Sequence, residues 1–100
     1  MVKFLIFFKS PANFEQFETD FASRYVPAIN AIPNVTRVTV SRGIGAPAGQ
    51  SPYHLIHELC FETKDDMIAA LNSPEGRAAG AIVMSFAKDI VTMMFAEAWE

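Results

Sequence analysis

A chain of 100 residues has room for one domain, residues 1–100. Its net charge is −3 and its Lys and Arg are dispersed, which argues against nucleic-acid binding, and the lone Cys60 rules out an internal disulfide and any Cys-based zinc cluster. At 51% apolar and 19% charged, it carries more apolar surface than one sheet and one helix layer hide, so part of that surface belongs at a subunit interface.

Val2–Phe8 reads as a first strand, apolar at nearly every position apart from Lys3. Its apolar run, Phe4–Phe8, is too short for an export signal, and no stretch approaches a membrane span. A cytoplasmic protein with no membrane partner is expected. Asn13 is a suitable N-cap, with Gln16 placed to complete a capping box. A helix follows to about Ala31, about 27 Å long. Phe14, Phe17, Phe21, Tyr25, Ala28 and Ile32 form its apolar stripe. Pro27 lies inside it and deprives the Ser23 carbonyl of its helical donor. The helix must bend there or find another donor.

Val35–Arg42 alternates as a β-branched strand with one wetter face. Gly43–Pro52 is a loop, and its glycines do not spell a dinucleotide fingerprint. Tyr53–Glu62 is the third strand. Tyr53, Leu55, His57, Leu59 and Phe61 point one way, and His54, Ile56, Glu58, Cys60 and Glu62 the other. Thr63 caps a helix to about Asn72, and Ser73 with Pro74 starts another to about Ala87. Its Ala78–Ala81 stretch is all small, which permits close approach of a neighbouring backbone. Ile90–Trp99 is the last strand.

The order β-α-β-β-α-β is the ferredoxin-like motif, an α+β fold with a four-stranded antiparallel sheet and its helices on one face. The first and last strands are apolar on both faces, so the second face of the sheet needs a cover. A second copy of the chain is the simplest one, which makes a homodimer the expected state. His54, Glu58 and Met94 are assigned to that interface, and Trp99 to its edge. Arg37 or Arg42 is the expected partner of Glu58.

Tyr25 and His57 are the candidate functional pair. Tyr25 lies on the helix stripe that covers the sheet face carrying His57. The plain reading is a core tyrosine and a core histidine with satisfied hydrogen bonds. The functional reading has Tyr25 donating to a carbonyl or oxyanion while His57 shuttles the proton. Phe21, Phe86 and Ser23 are placed around the pair as an apolar pocket for a small hydrophobic ligand. His54 and His57 face opposite sides and cannot share a metal, and neither metal nor cofactor is expected.

Val2–Phe8, Tyr25-Val26-Pro27, Ile32-Pro33-Asn34-Val35, the strand from Pro52-Tyr53-His54 to Glu58, and Ser73-Pro74-Glu75-Gly76 together resemble the EthD family along the whole chain. The resemblance implies a dimeric α+β barrel in which two ferredoxin-like sheets pack face to face. It also implies a link to breakdown of ethyl tert-butyl ether, and kinship with cofactor-free enzymes acting on muconolactones and polyketide-like aromatics. The family usually reads His-x-Pro where this chain has Tyr25-Val26-Pro27. A tyrosine donates a hydrogen bond more readily than it removes a proton. Two functions stay open: a cofactor-free enzyme or catabolic accessory protein, and a non-catalytic ligand-binding or assembly module whose dimer is the function.

Overall fold

The computed structural model describes residues 1–99. Four strands, β1 (Val2–Phe8), β2 (Arg37–Arg42), β3 (Leu55–Phe61) and β4 (Val91–Glu97), form one antiparallel sheet in the order β2-β3-β1-β4. The helices are α1 (Phe14–Asp20), α2 (Val26–Asn30), α3 (Lys64–Asn72) and α4 (Pro74–Ala87). The first two are one helix in space, joined by a π-helical turn over Phe21–Tyr25. The ferredoxin-like arrangement with helices on one face is the architecture expected.

The register sorts the sheet into two faces. Val2, Phe4, Ile6 and Phe8 lie opposite Phe61, Leu59, His57 and Leu55 across β1 and β3, and this face meets the helices. Phe8 makes edge-on contacts with Phe17, Phe21 and Tyr25 at ring-centroid separations of 5.4, 5.8 and 5.8 Å. The other face carries Leu5, Phe7, Ile56 and Met94, of which Met94 is 49% exposed. Among the described residues no helix covers it.

The caps form where the side chains predict them. Asn13 Oδ1 accepts from the Gln16 N–H at 2.9 Å, Thr63 Oγ1 from the Asp66 N–H at 3.1 Å, and Ser73 Oγ from the Gly76 N–H at 3.1 Å. The capping box does not close, because the Gln16 amide donates forward to Asp20 at 3.2 Å. A Cβ on Gly76 would strike the carbonyls of Ala70 and Leu71, so glycine is what lets α4 begin immediately against α3. Asn34 lies in the turn that leads from α2 to β2, with φ +66°, a left-handed conformation its short polar side chain tolerates.

Two expectations are corrected. The buried residue after Tyr25 on the stripe is Ile29, with Ala28 only partly buried. The wide turn inserts one residue into the helical count and shifts everything beyond it. Tyr53 and His54 also exchange faces. Tyr53 packs at a tilt against Phe7, on the open side, at 4.9 Å. His54 sits in a bend ahead of β3, where strand alternation does not yet hold, and turns toward α1.

Candidate functional site

The π-helical turn is the local structure on which the site rests. Phe17, Phe21, Tyr25 and Ile29 are all buried at a strict spacing of four. On a regular α-helix such a row drifts by about 40° per step. One wide turn takes that drift back and keeps all four side chains over the sheet. It also answers Pro27. The Val26 N–H reaches the Phe21 carbonyl, a five-residue step, and Pro27 enters the next helical segment in its first turn, where a missing N–H costs little.

Tyr25 and His57 come into direct contact. Tyr25 Oη lies 3.3 Å from His57 Nδ1, and each residue is 1% exposed. Their rings meet edge to face at 5.4 Å, walled by Phe21 at 5.3 Å from Tyr25 and 6.0 Å from His57. No ion balances the pair, so burial alone governs its charge. It pushes His57 down to about 4 and raises Tyr25 well above the usual phenol value. Both groups are neutral at pH 7.

A cavity of about 150 Å³ opens beside Tyr25, between the sheet, α2 and the N-terminal half of α4. Phe4, Ile6 and Met93 line it from the sheet, Tyr25, Ile29 and Ile32 from the first helix and its end, and Gly76, Ala79, Gly80 and Val83 from α4. Its walls are apolar, and Tyr25 is the one lining side chain with a hydroxyl. Phe4, Gly80 and Met93 are half-buried while most of the rest are buried, which places the mouth beside β4.

The expected pocket residues divide. Phe21 packs against Tyr25, and Phe86 packs against Tyr25 at 6.2 Å and Phe17 at 5.7 Å, so both brace the pair from behind rather than line the cavity. Ser23 is exposed and donates to the Thr19 carbonyl at 2.6 Å, away from the cavity. Ile29, Ile32, Gly80 and Met93 are lining residues that sequence reasoning misses. The small Ala78–Ala81 stretch was the available signal, but beneath Ala79 and Gly80 it leaves space instead of admitting a backbone.

The residues assigned to an interface are also scattered. His54 leaves the open face and packs its ring against Phe14 and Phe17 at 5.1 and 5.6 Å. Its Nε2 lies 3.5 Å from Glu18 Oε1 without an aligned hydrogen bond. Glu18 instead accepts from Arg42 at 2.9 Å, which removes Arg42 as a partner for Glu58. Glu58 stays on the open face and meets Lys3 at 4.0 Å. Met94 is on the open face, and Trp99 lies beyond β4, 98% exposed. Among the described residues no group of three or more His, Cys, Asp or Glu is placed to hold a metal ion, and no helix is long and apolar enough to cross a membrane.

No family model matches the chain. An uncharacterised 11.0 kDa protein from the thcB–thcC intergenic region of Rhodococcus erythropolis is 31% identical over 97 residues, which span 97% of this chain and 94% of that protein. A crystal structure of an ethyl tert-butyl ether d (EthD) family protein from Bacillus halodurans superposes with a TM-score of 0.94 at 28% identity, covering 98% of each chain. A dimeric ferredoxin-like protein of unknown function from Bacteroides fragilis gives a TM-score of 0.70 at 20% identity, over 97% of this chain and 95% of that one. SnoaB, a cofactor-independent oxygenase from Streptomyces nogalater, gives 0.69 at 17% identity, over 99% and 93%.

Proposed function

The chain belongs to the EthD family, and on that premise we propose that it binds a small hydrophobic molecule in the cavity beside Tyr25 and acts on it without a cofactor. The observation that carries this reading is the direct Tyr25–His57 contact at the edge of an apolar cavity. An apolar wall with one hydroxyl recognises an uncharged molecule with one hydrogen-bond acceptor, such as a ketone, phenol or ether.

The charge state of the pair decides what it does. With His57 pushed down to about 4, the imidazole is a weak base at pH 7, which argues against an outright shuttle of its proton. In its Nδ1–H tautomer His57 donates to Tyr25 Oη and leaves the phenolic proton free for the ligand. Tyr25 then stabilises negative charge that develops on the ligand oxygen, as a single-donor oxyanion hole. Tyr25 is the catalytic residue in this account, and His57 positions it. Two protomers join, as the description of several neighbours as dimeric supports, and the uncovered sheet face with Leu5, Phe7, Ile56 and Met94 offers the apolar surface for it. SnoaB, a cofactor-independent oxygenase, shares the fold, which supports a reading without a cofactor.

The neutral state of both groups also favours a second reading, a binding module that holds its ligand without converting it. Incubating the protein and its Tyr25→Phe variant with a panel of small ethers, ketones and phenols separates the two. Turnover lost in Tyr25→Phe with the fold intact supports the enzyme. Binding without turnover by the unsubstituted protein supports the module, and binding by neither overturns the site.

A further inference from the structure

We propose that Gly80 sets the size of the molecule that the cavity admits; the inference rests on the cavity being the ligand site. Gly80 lies inside α4, in an ordinary helical conformation, where glycine is a poor choice relative to alanine. A glycine in such a place normally reflects a positive φ or a crowded neighbour. Neither applies. A Cβ built on Gly80 meets nothing within 4 Å, whereas one on Gly76, a turn earlier, collides with the backbone of α3. Two glycines on one helix therefore have different causes. Gly76 is required by packing and Gly80 is not.

What Gly80 borders is the cavity, and it is half-buried at the mouth with Phe4 and Met93. Its absent side chain leaves open space between α4 and the sheet edge. A side chain there would narrow the opening and leave Tyr25, which lines the cavity from the first helix and lies beyond 4 Å of a Cβ on Gly80, in place. The position can change the width of the entrance while the chemistry stays fixed. Glycine admits the widest ligand, and each added carbon excludes a larger class.

Benzene and p-xylene are suitable probes, because an apolar cavity of about 150 Å³ is large enough for benzene. Both are titrated by NMR into the full-length chain and into Gly80→Ala and Gly80→Leu. The expected result is that the unsubstituted chain binds both. Gly80→Ala should hold benzene within about threefold and weaken p-xylene by about tenfold or more, and Gly80→Leu should exclude both. The melting temperature of Gly80→Ala should equal or exceed that of the unsubstituted chain, which establishes that the fold is intact. Unchanged binding of both probes by a folded Gly80→Ala and Gly80→Leu would overturn the role of Gly80 and leave the cavity standing as a site. Failure of the unsubstituted chain to bind either probe or anisole, whose ether oxygen can accept from Tyr25, would overturn the cavity reading and this inference together.

Discussion

Replacing Tyr25 by Phe tests the buried pair at its smallest possible perturbation. The ring contacts with Phe8, Phe21 and His57 at 5.8, 5.3 and 5.4 Å survive, so the loss is confined to one hydroxyl. A net hydrogen bond contributes about 0.5–1.5 kcal/mol, and leaving a buried partner unsatisfied costs about 1–3 kcal/mol. The bond here is long, at 3.3 Å, which puts the expected loss toward the lower end, about 1–2 kcal/mol. For a domain of this size each kcal/mol lowers the melting temperature by about 4–8 °C. Thermal unfolding, at one fixed protein concentration because a dimer melts in a concentration-dependent way, should show a drop of at least about 4 °C. The His57→Leu variant and the double variant complete the cycle, with a coupling of about 0.5–1.5 kcal/mol. A Tyr25→Phe protein as stable as the parent, with additive changes in the cycle, would refute the hydrogen bond.

Three further outcomes follow from the same geometry. Burial depresses His57 from 6.5 in the unfolded chain to about 4 in the fold, so the unfolded state binds the extra proton. Stability should therefore be full above pH 6.5 and fall by up to about 3 kcal/mol as pH drops toward 4; urea melts at pH 7.5 and 4.5 check this, and His57→Leu should flatten the profile. Leu5→Asp places a charge at the centre of the uncovered sheet face and should give a folded monomer by light scattering; a surviving dimer would mean that copies associate elsewhere. Ser73→Ala removes the cap on the Gly76 N–H and should cost about 1 kcal/mol in chemical denaturation.

The fold was legible because its signals are local. Asn13, Thr63 and Ser73 mark helix starts by side-chain chemistry, and the strands announce themselves by their β-branched and apolar runs. The Tyr25–His57 contact was legible too, since one stripe and one alternating strand suffice to aim both residues at the same layer. What the sequence hid is of three kinds. His54 precedes the first ladder pair of β3, so the alternation that holds for His57 does not govern it. Lys3 meets Glu58 because of the β1–β3 register, which no spacing within either strand reveals. The cavity is an absence of atoms, produced jointly by residues from β1, α2, α4 and β4 such as Phe4, Ile29, Gly80 and Met93, and only packing exposes it. Pro27 and the four-residue spacing of Phe17, Phe21, Tyr25 and Ile29 do encode the wide turn, once the drift of a regular helix is counted against them.

The most direct measurement is a native mass spectrum of the purified protein, taken before and after incubation with the ether, ketone and phenol panel. The account predicts a dimer that carries one additional small mass per subunit, reduced or lost in Tyr25→Phe. A dimer that stays free of any adduct in both spectra would contradict a ligand site beside Tyr25.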